Sequence, residues 1–487
     1  MEPSKPEQAP RSGSFWLADA PENVLRGRLV LDGEDSPSLD LDGSLTPWLQ
    51  ERSRSTQPDG SPLRILVPSA DGPEFESLVV HGELDTSEPV TLVDAFTVAR
   101  SGSPLPFGPT SVQRLRASYV LRGGHVWGRN QAYTRLRVRL RHLDAWAQLP
   151  SFAVAAAPPN GQSLTYLPSA LAAVSLPDGA LLDLDEQIEL SLDELSGGRL
   201  HRQLWLRLRE LPPATFRVLD RTLITPMSSL LTLAVGSDCS PVAIEVATDA
   251  AGPWLSIHHS QFVAESATRC PAHRMLAPRT VLGLEGVAGW LAQVDRLGPL
   301  PPVVADLVAG TRHTLETQLL ELATVAEGLH RRLFAGERRL TDQQETAALL
   351  AVQQAVAGLD EKSAAAVRSA VEHLAEPSYP MRLQQLAGLA ESIAPGCTGT
   401  TNRWKRKVAD TRIEFAHRIS GSFLNEGSID ELLAVLLSLR WLLTVVLLQQ
   451  TGVGSEILAQ RLRSHHAYQL FLQQVARWLP KVYGKAG

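Results

Sequence analysis

Ser428-Ile-Asp-Glu431, followed by Leu432-Leu-Ala-Val-Leu-Leu-Ser-Leu-Arg440-Trp-Leu-Leu-Thr-Val-Val-Leu-Leu448 and Gln449-Gln450, is the stretch whose reading decides the fold. A membrane-spanning helix needs about 20 apolar residues with few or no charges. This run is shorter, and Arg440 stands in its middle. It therefore reads as the buried helix of a bundle. Ser428 to Glu431 has capping-box form and is expected to open the helix, which would run to Gln450.

Around that helix, helical signals fill the C-terminal part. The change comes at Pro301-Pro302. A long helix is expected from about Val303 to Phe334, with Gly310 as a weak point and Gly336 as a stop. Thr341-Asp-Gln-Gln344 is a second capping-box pattern, opening a helix to about Ala357 that stops at Gly358. Further helices are expected over about Lys362–Leu374, Met381–Ile393, Asn402–Ile419 and Ser455–Trp478. Seven helices with short loops make an all-α bundle.

Before Pro301 the period is different. Short runs bounded by Gly, Pro, Asp and Ser read as strands. They include Arg26–Leu31, Ser77–His81, Val90–Asp94, Ala117–Arg122 and Arg135–Leu140. Leu181–Asp185, Ile188–Leu192, Leu204–Leu208, Leu230–Val235 and Val242–Val246 continue the style. Arg135-Leu-Arg-Val-Arg-Leu140 alternates strictly, as a strand with one wet face does. Its arginines, with Arg141, read as a solvated strand face in preference to an RNA contact. The fold class is α+β multidomain. A flexible N-terminus (1–12) and a β-rich region (13–300) precede an all-α domain (303–480).

Composition narrows the function classes. The 487 residues carry 44% hydrophobic and 20% charged side chains, an ordinary globular balance. A net charge of −6 argues against a surface coated in basic residues for passive nucleic-acid binding. Three widely spaced cysteines, Cys239, Cys270 and Cys397, offer neither zinc-ligand spacing nor a disulfide framework. Met1 to Ser14 is polar and Pro-rich, without the apolar core of a signal peptide. The expectation is a cytoplasmic protein with no metal, no cofactor and no membrane contact.

The chemistry concentrates in Asn402-Arg-Trp-Lys-Arg-Lys-Val-Ala-Asp-Thr-Arg-Ile-Glu-Phe-Ala-His417. Trp404, Val408 and Phe415 recur at helical spacing and should face the bundle, leaving the charges outside. RNA carries its own nucleophile, the 2′-OH beside each phosphate. Its cleavage needs a base and an acid, and histidine can serve as either near neutral pH. Arginine offers a permanently charged fork matched to phosphate oxygens. The spacing alone is not specific: Arg137/His142, Arg368/His373, Arg412/His417 and Arg461/His466 all have it. Residues five apart on a helix are about 140° apart in angle, so a long arginine side chain or a frayed turn must bring the pair together. One chain supplies one such histidine, so a homodimer, or a higher oligomer, would place an acid and a base together.

Val408-Ala-Asp-Thr-Arg412-Ile-Glu-Phe-Ala-His417, followed by the apolar helix, resembles the Apea-like HEPN nuclease domain. Leu322-Ala-Thr-Val-Ala-Glu327-Gly-Leu-His330-Arg331 is similar to that family's early helix. The resemblance covers about residues 305 to 475. Gly13–Leu17, Gly27–Asp32, Leu39–Gly43, Val80–Gly82, Val90–Phe96, Leu121–His125 and Val138–Trp146 resemble the Apea N-terminal domain in the same order. The resemblance implies a metal-independent endoribonuclease of abortive anti-phage defence. Arg412 and His417 would be its catalytic pair. From their own place in the sequence, Lys405, Arg406, Asp410 and Glu327 are expected beside the substrate. RNA would be one partner and a phage-derived trigger, acting through the N-terminal region, another. The family usually has a polar residue after the motif arginine, whereas this chain has Ile413. That departure leaves room for weakened activity, or for a non-catalytic RNA-binding or sensing adaptor with a degenerate site; a toxin of a toxin–antitoxin pair is a separate alternative.

Overall fold

The computed structural model describes residues 10–31, 36–46, 49–56, 62–68, 77–101, 112–150, 152–157, 161–167, 172–193, 197–259, 270–310, 313–417 and 426–484. Residues 1–9, most of the expected flexible N-terminus, lie outside them. The chain forms two compact units. One comprises residues 1–144, 149–228 and 239–269, the other residues 145–148, 229–238 and 270–487.

The first unit is built on antiparallel strands. β1 (Arg11–Leu17), β2 (Ala20–Val30), β3 (Ser38–Leu41), β4 (Leu78–Leu84), β5 (Pro89–Ser101) and β6 (Val112–Arg116) pair in the ring order β1-β2-β3-β6-β5-β4. The β1–β4 pairing closes it into a six-strand barrel, which leaves none of these strands as an open edge. Alternate side chains fill the interior: Phe15, Leu29, Leu39, Leu41, Val80, Leu92 and Leu115 are all fully buried. Gly82 stands opposite Phe15 because a Cβ there would fall 2.4 Å from the Phe15 ring.

From β5 the sheet runs on through β7 (Tyr119–Arg122), Leu255–His258, Pro241–Ala247, β8 (Arg135–Leu140), Gly197–Arg209 and Leu181–Asp193. Most expected strands are present, and the two runs over 181–192 belong to one long strand. Leu230–Val235 is a correction, since it lies in the helix Thr225–Val235. A short apolar run buried all round has no period that separates strand from helix.

The arginine stripe on β8 is a second correction. Arg137 is only 6% exposed. Its guanidinium lies 4.7 Å from the ring centres of both Trp205 and Trp254. It bonds the Glu245 carboxylate at 2.6 Å and Asp185 at 3.4 Å. A planar cation that stacks on rings and meets carboxylates tolerates burial, so Arg137 points into a covered layer, while Arg135, Arg139 and Arg141 are half-buried.

The second unit carries the helical domain: α1 (Leu300–Ala309), α2 (Leu315–Leu333), α3 (Asp342–Val356), α4 (Glu361–Val371), α5 (Tyr379–Glu391), α6 (Thr401–His417), α7 (Glu426–Gln449), α8 (Ser455–Ser464) and α9 (His466–Trp478). The run expected as one helix from Val303 is two, because Gly310 takes a left-handed conformation (φ 88°) that ends α1. Thr341 and Gln344 form the expected reciprocal capping box. Ser428 does not open its helix; α7 begins at Glu426. The last expected helix also divides, at His465, whose extended backbone (ψ 112°) separates α8 from α9. There His465 Nδ1 accepts from the Tyr468 amide at 3.4 Å, and Nε2 is 2.9 Å from the Arg274 carbonyl.

α7 is the hub, packing against α1, α2, α5, α6 and α9. Among the described residues two helices, Phe216–Val235 and Ile429–Gln449, are long and apolar enough to cross a membrane by length and composition. Of the Ile429–Gln449 window, 72% is buried within the protein, as befits a bundle core helix.

Candidate active site

Three helices converge on Arg412. α6 is positioned by its apolar side: Trp404 and Val408 are fully buried, and Phe415 is half-buried. Trp404 Nε1 donates to Ser438 Oγ on α7 at 2.8 Å, fixing the rotation of α6 against the hub. That rotation turns Arg412 toward α2 and α5. Its Nη2 meets Glu327 Oε2 of α2 at 2.9 Å. Its guanidinium carbon lies 4.4 Å from the centre of the Tyr379 ring, at the start of α5. The Arg412 side chain keeps 32% of its exposure.

Tyr379 is held in turn. Its hydroxyl donates to the Ala323 carbonyl at 3.2 Å. Burial pushes the phenol well above its ordinary range, against the pull of Arg412, so the ring stays neutral beneath the guanidinium. One face of the arginine is therefore stacked and one edge paired. Among the described residues no further ion pair engages the guanidinium, so others of its five N–H donors can meet an anion.

Behind Glu327 runs a chain of charges. Arg331 reaches Glu327 at 3.6 Å and Glu376 at 2.9 Å. Arg382, 5% exposed, bonds Glu376 at 2.7 Å and the Pro377 carbonyl at 2.9 Å. His330 is 1% exposed, with Nε2 against Gln385 Oε1 at 2.5 Å and its ring stacked on Phe334. Burial lowers the His330 pKa, with the Gln385 bond opposing and Arg382 adding to the effect. His330 is a buried structural histidine.

The other expected residues lie along α6. Lys405 reaches Gln384, while Arg406 and Asp410 are exposed. Arg403 bonds the Lys481 carbonyl at 2.7 Å, and Lys407 pairs with Glu431. His417 is the last residue of α6; its side chain lies outside the described residues. Ile413, the departure from the usual polar neighbour, is 58% exposed. Among the described residues, no three His, Cys, Asp or Glu side chains group to hold a metal.

The competing Arg-x4-His matches have other work. Arg137 is buried in the sheet, and Arg461 donates to the Met275 carbonyl at 2.8 Å. Arg368 pairs with Glu361 at 2.7 Å, and His373 with Glu376 at 3.0 Å. Tyr379, Glu376 and Arg382 were not singled out in the sequence. Ser378-Tyr379-Pro380 looks only like a helix start, and no spacing links Tyr379 to a residue 33 positions later.

The ApeA N-terminal domain 1 model matches residues 10–287, and the Apea-like HEPN model matches residues 320–457. The chain belongs to the Apea-like HEPN family. The Apea-like HEPN match takes in most of α2 and all of α3 to α7, and so every residue around Arg412 named above. HEPN domains are RNase-like domains associated with defence. Neither the curated proteins nor the solved structures gave a match.

Proposed function

We propose that this protein is a metal-independent endoribonuclease of abortive anti-phage defence, acting in the cytoplasm as a homodimer, with Arg412 and His417 as its catalytic pair. The observation that supports this most is the setting of Arg412. Glu327 and Tyr379 fix its guanidinium in a partly open position on a basic helix within a HEPN domain. A pre-positioned cation is what a phosphodiester needs when negative charge builds on its oxygens, because no reorganisation is then required at the moment of reaction.

In this reading the 2′-OH attacks the adjacent phosphate. Arg412 binds the non-bridging oxygens with its remaining N–H donors. His417 removes the 2′ proton or protonates the leaving 5′ oxygen, and the same residue of a second copy takes the other role. Lys405 and Arg406 line the approach of the RNA backbone. Asp410 and Glu327 border the cleft, and Glu327 orients Arg412. A phage-derived trigger acting through the N-terminal region would release the activity.

The test is direct. Purified protein is incubated with end-labelled RNA in EDTA, beside His417→Ala and Arg412→Ala. The expected result is cleavage in the parent only, leaving 2′,3′-cyclic phosphate and 5′-OH ends. A metal requirement, or a His417→Ala protein that cuts at the parent rate, would overturn the assignment. Ile413 motivates the second reading, a degenerate HEPN domain. It requires the parent to bind RNA without cutting it under conditions that trigger defence.

A further inference from the structure

The first unit holds a cleft of about 450 Å³ beside the barrel, lined by Ser77, Val79, Asp94, Trp127, Arg129 and Asn130, among others. Its size is that of a small-ligand site. Its walls are unusual in three respects. Trp127 is 79% exposed, the most exposed of the large apolar side chains among the described residues. Bare indole surface of that extent is a feature of recognition sites. The indole is also well supported. Its ring lies 5.6 Å from His81, which stacks on His125 at 4.6 Å, and Trp16 closes the cluster edge-on to both histidines.

The cleft also contains a buried carboxylate in a strained setting. Asp94 is 7% exposed and has φ +52°, a left-handed conformation for a non-glycine residue inside a strand. It sits where β5 gains a residue against β4, between the pairs Leu92–Val80 and Ala95–Leu78. Bulges re-aim side chains in this way, and such strain concentrates at functional positions. Asp94 accepts from Ser77 at 2.7 Å and Arg217 at 2.8 Å. A carboxylate has about four lone-pair sites, so it retains acceptor capacity. Finally, Arg129 stands 4.0 Å from Asp94 with 58% of its side chain exposed. Asp94, Arg129 and Arg217 together leave one positive charge at the cleft.

We propose that this cleft is a nucleotide-binding site that takes a guanine mononucleotide. The base stacks on Trp127. Its adjacent N–H donors meet the free lone pairs of Asp94. Its phosphate meets Arg129, whose fork suits phosphate oxygens. A planar ring, an edge rich in donors and an anion are the three complements of the three walls, and a guanine nucleotide carries all of them.

The experiment is calorimetric titration of the full chain with GMP, guanosine and inorganic phosphate. Trp127→Ala, Arg129→Ala, Asp94→Asn and Arg412→Ala are titrated in parallel. GMP is expected to bind with a Kd of roughly 10–100 μM. Guanosine and phosphate should each bind at least ten-fold more weakly. Trp127→Ala should lose at least ten-fold for GMP, and Arg129→Ala should bring GMP to the level of guanosine. Arg412→Ala should bind GMP as the parent does, which separates this site from the proposed nuclease site. Asp94→Asn should lose affinity; if its thermal melt shows that it fails to fold, the two exposed positions still decide. Absence of GMP binding at about 1 mM overturns the proposal, as does equal affinity in Trp127→Ala. Loss of binding in Arg412→Ala alone also overturns it.

Discussion

Arg412 illustrates how little energy and how much geometry a site residue needs. Its pair with Glu327 is partly exposed, and exposed ion pairs contribute about 0–1 kcal/mol. Its contact with Tyr379 is a cation over a ring, of a similar size. Arg412→Lys should therefore leave the thermal midpoint within a few degrees of the parent. It should still lower RNA cleavage by roughly 100-fold, because a lysine ammonium has no planar fork to share between Glu327, Tyr379 and phosphate. A lysine variant that cuts at the parent rate would show that a point charge suffices. Arg382 makes the opposite case. It is 5% exposed and donates to Glu376 and to the Pro377 carbonyl, and Glu376 also has Arg331 and His373 beside it. Arg382→Ala removes the donor of the Pro377 carbonyl and leaves a cavity where the side chain was buried. It should cost about 1–3 kcal/mol, read by urea denaturation, without touching any RNA-facing group.

At the scale of elements, the barrel closes because small residues stand where strands and rings crowd. An alanine Cβ at Gly13 would lie 2.6 Å from the Glu83 carbonyl oxygen of the paired strand, and backbone there cannot step aside. Gly13→Ala should therefore destabilise the barrel by about 1–3 kcal/mol, measured as a lower urea midpoint with unchanged slope. Strand and helix periods were largely legible in the sequence, since each follows from side chains facing one core. What was illegible has physical causes. Leu230–Val235, buried throughout and apolar but for Thr232, carries no period. The break at His465 depends on its hydrogen bonds to Arg274 and Tyr468. The site was half legible: Arg412 and Glu327 stand in motifs, whereas Tyr379 reaches Arg412 only through helix packing. The burial of Arg137 was hidden because a strand's charged face looks wet until another layer covers it.

For the whole molecule, buried histidines set the response to acid. His81, His259, His330 and His465 all have pKa values lowered mainly by burial. Each is neutral in the fold and takes a proton more readily once unfolded, where its value returns to about 6.5. Below that value the unfolded chain binds more protons than the folded one, and stability falls with pH. The loss begins near pH 6.5 and continues until each folded-state value is passed. The four sites lie in both compact units, His81 and His259 in the first and His330 and His465 in the second, so acid should weaken both. The thermal midpoint should be level from pH 8 to 7 and drop steadily from pH 6.5 to 5.5. His330→Gln removes one titrating group from the helical unit and should make that unit's transition less steep in pH, even if its midpoint at pH 8 is lower. A midpoint that holds or rises between pH 6.5 and 5.5 would mean that the imidazoles gain compensating partners on protonation. Asp220 beside His259 and Glu337 beside His330 are the carboxylates placed to act as those partners.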